Sequence, residues 1–350
     1  MRTLNVSAVV IALLVLGSSV GAFAETQEIH GGGATFPAKL YAKWIQDYNA
    51  AQQAAKLDYQ AQGSGFGITG ITGRTIHFAG SDAPMTEKQE AAAPGKLLHL
   101  PTVAGPVVMA YNLTGVTELV LNGEIIAEMY ENKITKWNDP KIVALNPSAK
   151  LPASDITVVH RSDGSGTTWI FTNYLNKISA DWKSKVGNQT TVNWPTGLAG
   201  KGNDGVAGQI KNTEGGIGYL EIAYAESIKM PYAALVNKAG KTVKASIDGV
   251  NEAAKNSAAE IPDDFKISIT NAPGDASYPI AGFTYIIVYQ DLSYLKNKDL
   301  ATEIVKFIQY GETKGQESAA PNYAKLPDDL VKKVEEKIKT IVFDGQPIVK

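Results

Sequence analysis

Leu40, Tyr41, Trp44, Ile45 and Tyr48 recur at the three- and four-residue spacing of one helical face, just after Pro37. Proline suits a first helical turn, so the pattern predicts a helix beginning near Thr35. A second stripe of that kind, Trp169, Ile170, Phe171, Tyr174, Leu175 and Ile178, predicts another helix. A third, Leu330, Val331, Val334, Ile338 and Ile341, marks an amphipathic helix near the end, with lysines and glutamates on its outer face. Between them, short apolar runs at residues 75–79, 103–113, 156–160, 217–222 and 285–289 read as strands bounded by glycine-bearing turns. Strands alternating with helices define an α/β protein. Trp44, Tyr48, Trp169 and Phe171 are expected in its core. No internal repeat or low-complexity linker marks where lobes divide.

With 350 residues, the chain exceeds the ~100–200 of a typical domain, which predicts two lobes. A net charge of -2 and 44% apolar residues argue against disorder and against a strongly basic nucleic-acid binder. The chain has no cysteine, hence no disulfide framework, thiol nucleophile or Cys-ligated zinc. At the start, Arg2, the apolar residues 8–16 and the triplet Ala22-Phe23-Ala24 have the order of a secretory signal, expected to be cleaved after Ala24. Gly17, Ser18 and Ser19 interrupt the run well short of the ~20 apolar residues that span a bilayer. The expected location is the periplasm.

Several chemistries find no support. His30, His77, His99 and His160 lie far apart, and none opens a His-Glu-x-x-His motif. A Gly-x-Ser-x-Gly elbow is absent. Residues 197–202 are too closely spaced for a nucleotide phosphate loop, and Gly202 stands where Ser or Thr is needed to hold magnesium. Residues 164–169 lack the third glycine of a dinucleotide fingerprint, and the acidic residues show no calcium-loop spacing. No metal, cofactor or catalytic residue is expected.

What remains is anion chemistry. Gly33-Ala34-Thr35-Phe36, Gly63-Ser64-Gly65 and Gly164-Ser165-Gly166-Thr167 each sit where a helix is predicted to begin. A helix N-terminus presents unpaired N–H groups and a partial positive charge, and small residues let an oxyanion approach. Arg161 adds a planar fork of donors matched to a tetrahedral oxyanion. Singly, each loop is also explained as a helix cap and tight turn. Asp163 reads equally as a turn residue or as the charge that orients Arg161, and residues 200–205 read first as a helix cap and second as a ligand contact.

Gly-Ala-Thr-Phe-Pro at 33–37, Gly-Ser-Asp-Ala-Pro at 80–84, Arg-Ser-Asp-Gly-Ser-Gly-Thr at 161–167 and Gly-Lys-Gly-Asn-Asp-Gly at 200–205 resemble the periplasmic phosphate-binding proteins of Pst-type ABC transporters. Leu-Pro-Thr-Val at 100–103 and Tyr-Pro-Ile at 278–280 extend the match collinearly along the chain. The resemblance implies a type II periplasmic-binding fold: two lobes, each a mixed sheet flanked by helices, with the ligand in the cleft between them. One lobe is expected to hold residues 25–102 and 282–350, the other residues 103–281. Carried onto this sequence, the implied phosphate ligands are Thr35, Phe36 (through its N–H), Ser64 and Asp82 from one lobe, and Arg161, Ser165, Gly166 and Thr167 from the other. Gly65 stands where a second serine is common, and His160 where a second arginine can occur. The implied role is high-affinity capture of inorganic phosphate by a monomer, without nucleic acid, and delivery to the membrane permease and ATPase. A secreted phosphatase and a phosphate-scavenging or adhesion protein on the same fold are the alternatives.

Overall fold

The computed structural model describes residues 26–319 and 321–349; the expected signal segment lies outside them. Of the thirteen strands among the described residues, eleven organise the fold: β1 (Gln27–Gly33), β2 (Ala55–Ala61), β3 (Phe78–Ser81), β4 (Leu97–Asn112), β5 (Val120–Leu121), β6 (Thr157–Arg161), β7 (Leu198–Gly200), β8 (Gly216–Glu221), β9 (Ala234–Val236), β10 (Thr242–Val243) and β11 (Ala281–Tyr289). Eight of them run in the order β2-β1-β3-β11-β4-β8-β6-β7, and β10-β9-β5 form a small sheet apart.

Two parallel groups, β2-β1-β3 and β8-β6-β7, are joined through antiparallel β11 and β4. Strand β4 changes partner midway, pairing with β11 through Pro106 and with β8 from Val107 onward. At that point the Val107 N–H donates to the Ile280 carbonyl at 2.8 Å. Helices cover both groups, giving the two-lobe architecture of a type II periplasmic binding protein. In open α/β sheets, ligands collect beyond the carboxyl ends of the strands. Here six strands, β1, β2, β3, β6, β7 and β8, lead directly into the polar segments at Thr35, Ser64, Asp82, Ser165, Asn203 and Glu221.

Local differences from the sequence reading have local causes. The first helix spans Ala38–Ala51 because residues 35–37 form a turn that precedes it. Strand β3 begins at Phe78 rather than residue 75, since the helix Ser64–Thr72 unwinds through Arg74, whose φ is 54°. Strand β4 reaches back to Leu97. The helices Gly166–Ile178 and Asp328–Ile338 carry the two other stripes. Trp44, Tyr48 and Phe171 are buried, whereas Trp169 is only half-buried against the core. Ile341 is buried just beyond its helix.

Candidate anion-binding site

Thr35, Ser64, Asp82, Arg161, Ser165 and Thr167 are all at least 97% buried, although they come from four separate stretches of sequence. The first, second and third glycine-bearing loops open the helices Ala38–Ala51, Ser64–Thr72 and Gly166–Ile178. A fourth helix, Gly202–Lys211, starts beside them.

Two backbones meet closely at the centre. The Gly65 N–H donates to the Gly164 carbonyl at 2.8 Å, and a Cβ on Gly65 would lie 3.0 Å from the Gly164 Cα. Glycine at position 65 leaves room for that contact. Gly166 faces Asp82 more tightly still: a Cβ there would come within 2.5 Å of the carboxylate and 2.6 Å of the Asp82 nitrogen.

The hydroxyls define the chemistry. A hydroxyl has two acceptor sites and one donor. The Ser64 Oγ accepts from the Gly166 N–H at 3.0 Å and the Asp82 N–H at 3.3 Å. The Thr35 Oγ1 accepts from the Asn203 Nδ2 at 2.8 Å and the Asn203 N–H at 3.2 Å. The Thr167 Oγ1 accepts from the Asn203 Nδ2 at 3.3 Å and, at 3.5 Å, from the Arg161 Nη1. All three oxygens therefore have both acceptor sites taken, and each has only its proton left to offer. The N–H groups of Thr35 and Phe36 have no acceptor among the described residues. The site is thus built of donors.

Asp82 is the exception. Its Oδ1 accepts the Thr284 hydroxyl at 2.7 Å. Burial pushes its carboxyl up to about 7, against the lowering pull of the Thr284 hydroxyl and the Arg161 guanidinium. Arg161 is held in turn by Asp163, whose Oδ1 accepts Nε at 2.8 Å and whose Oδ2 accepts Nη2. The same Oδ1 accepts the Gly202 N–H at 3.0 Å, so Asp163 both orients the arginine and ties down the 200–205 segment. Ser165 caps its helix by accepting the Thr168 N–H at 3.0 Å. The ring of Phe36 packs against Tyr323 and Gly105. His160 turns aside, its ring stacked on Trp194 with centroids 4.8 Å apart.

Sequence reasoning missed Asn203, Thr284 and a second polar layer behind the first loop. In that layer Tyr224 and Tyr323 donate to the carbonyls of Thr35 and Phe36, each at 2.7 Å. Glu221, fully buried, accepts from the Ala223 N–H at 3.0 Å, and its other oxygen lies 3.2 Å from the Tyr323 hydroxyl, whose single proton is shared between it and the closer Phe36 carbonyl. Burial pushes its carboxyl up to about 8, opposed by those two donors and by Lys39. Because the folded state holds this proton more tightly than the unfolded chain, the stability it brings is complete below about 4.5 and lost as pH rises through about 8. Glu221→Gln mimics the protonated form. Thermal melting is expected to show the variant matching the parent near pH 4.5 and exceeding it by about 3 °C or more near pH 8.5. An unchanged difference across that range would contradict this assignment.

Buried donors from two lobes gathered around the Asp82 carboxylate, which forms no ion pair among the described residues, are the arrangement of a solute-binding protein for small oxyanions. Residues 20–311 match the PBP superfamily domain model. The chain is 39% identical over 341 residues to the phosphate-binding protein PstS of Pasteurella multocida, covering 96% of this chain and 97% of that one. It is 42% identical over 313 residues to the PstS of Xylella fastidiosa strain 9a5c, with coverage of 88% and 84%. A high-affinity periplasmic phosphate-binding protein, PfluDING, solved with phosphate bound, superposes with a TM-score of 0.70 over 89% of this chain and 93% of that one; at 22% identity this likeness speaks to the fold. The chain belongs to the PstS family of phosphate-binding proteins, within the PBP superfamily.

Proposed function

We propose that this protein binds inorganic phosphate between its lobes in the periplasm and delivers it to the permease and ATPase subunits of an ABC-type importer. The observation that carries the reading is the set of three buried hydroxyls, Thr35, Ser64 and Thr167, left with nothing but protons to offer, beside a buried arginine. Such donors suit oxygens that carry charge. Asp82, the one acceptor among them, suits an oxyanion that still carries a proton. Phosphate keeps a proton near neutral pH and sulfate does not. The PstS names of the relatives support the same ligand.

In this reading Thr35, Phe36, Ser64 and Asp82 hold phosphate from the lobe of residues 25–102 and 282–350. Arg161, Ser165, Gly166 and Thr167 hold it from the lobe of residues 103–281. The hinge lies where β4 passes from β11 to β8 and where Ile280 meets Val107. The protein acts as a monomer and as a carrier, not an enzyme. Calorimetric titration tests this: saturable one-to-one binding of inorganic phosphate is expected, with no hydrolysis of a chromogenic phosphate ester. Absence of binding, or ester turnover, would overturn it.

A further inference from the structure

Asn203 is fully buried at the start of the helix Gly202–Lys211 and touches both lobes. Its amide orientation is fixed by its neighbours: Oδ1 accepts the Glu221 N–H at 3.1 Å, and a backbone N–H can only donate. The Nδ2 group therefore points the other way, toward Thr35 and Thr167. One hydrogen goes to the Thr35 Oγ1 at 2.8 Å and the other to the Thr167 Oγ1 at 3.3 Å. The Asn203 backbone N–H fills the second acceptor site of Thr35 at 3.2 Å. Without these donors, each threonine is free to turn its proton back into the protein and present lone pairs to an anion, which repel it.

We infer that Asn203 is a positioning residue for ligand capture: it fills both acceptor sites of Thr35 and, with Arg161, those of Thr167, a threonine from each lobe, so that both hydroxyls can only donate to the bound oxyanion. This rests on the phosphate reading above and adds to it. The residue does not itself have to touch phosphate. Asn203 also links Thr35 to Thr167 directly, so the polarity of the site is set only when the two lobes are together.

The test is a double-mutant cycle read by calorimetry with inorganic phosphate, using the whole chain. Asn203→Leu keeps the size and excludes water but removes the two side-chain donors, leaving Thr35 only the backbone N–H and Thr167 only the Arg161 Nη1. It is expected to weaken binding about tenfold in the parent background. In a Thr35→Val background, where one target hydroxyl is already gone, the same substitution should cost at least about threefold less. A merely structural role lowers the melting temperature but leaves the two affinity losses equal, and equal losses overturn the inference. So does unchanged affinity in Asn203→Leu. If Asn203→Leu does not melt cooperatively, Asn203→Ala enters the same cycle with the same criterion. Parent protein that fails to bind phosphate at all overturns the functional reading and this inference together, whereas a binding parent with an additive cycle overturns this inference alone.

Discussion

Arg161→Ala is expected to weaken phosphate binding by about two to three and a half powers of ten, the loss that follows from removing one partner of a buried charge pair at about 3–5 kcal/mol. Three separate consequences combine in that one change. The guanidinium proposed to face the anion disappears. Asp163, whose two oxygens hold the Nε and Nη2 of Arg161, keeps only the Gly202 N–H and becomes a half-buried charge without a cation. Asp82 loses the nearby positive charge that draws its carboxyl down, so it is held more firmly in the protonated form. Arg161→Lys separates these effects, since it restores the charge but not the two-pronged bond to Asp163. An intermediate loss is expected for lysine, and calorimetry on the three proteins gives the comparison. Arg161→Ala binding phosphate within tenfold of the parent would show that the arginine does not face the ligand.

The second large effect concerns the choice between anions. Asp82 is 1% exposed, and its Oδ1 is engaged by the Thr284 hydroxyl. A ligand proton can satisfy the remaining acceptor capacity of the carboxylate. Sulfate has none to give, and an unmatched buried acceptor facing an anion costs at least about 1–3 kcal/mol, more when charged. At pH 8.5, where a carboxyl pushed up to about 7 is ionised, phosphate should therefore be preferred over sulfate by more than about tenfold, and the preference should shrink as the pH falls through 7. Asp82→Asn reverses the logic: the Thr284 hydroxyl can still donate to the amide oxygen, which turns the NH₂ toward the anion as one more donor. The ratio of sulfate to phosphate affinity is expected to rise by at least about tenfold in that variant. If competition titrations find sulfate displacing phosphate at similar concentration from the parent protein, the role given to Asp82 is wrong.

How far these residues were legible in sequence follows from the range of the interactions involved. Helical stripes such as Leu40 to Tyr48 are local patterns, and the helices they predict are present with shifted ends. The glycine-bearing loops were legible for the same reason, because a helix start is written in a few consecutive residues. Strands β1 and β2 were not. Gln27–Gly33 is polar and ends in three glycines, and those glycines are demanded by tertiary packing: a Cβ on Gly31 would strike the Phe78 ring at 2.1 Å, and one on Gly33 the Gly80 carbonyl at 2.0 Å. No local rule of alternation survives that constraint. Asn203 was obscured in the same way. It stands 168 residues from Thr35 and 36 from Thr167, and only the assembled sheet brings all three to one place. Trp169 stands in a stripe of buried residues, yet the helix turns it to the margin of the core.

The central claim is that one small oxyanion holds the two lobes together. Thr35 and Ser64 on one side contact Asn203 and Gly166 on the other, and in this account a ligand adds bonds to donors from both. A ligand bound by both lobes stabilises the closed form over the open one by the difference in its contacts, and shifts the population accordingly. Small-angle X-ray scattering of the parent protein, without anion, with saturating phosphate and with sulfate at the same concentration, measures this directly. The account predicts a radius of gyration that shrinks with phosphate, and with sulfate only at concentrations more than about tenfold higher. A radius unchanged by phosphate under conditions where calorimetry records full occupancy would contradict it.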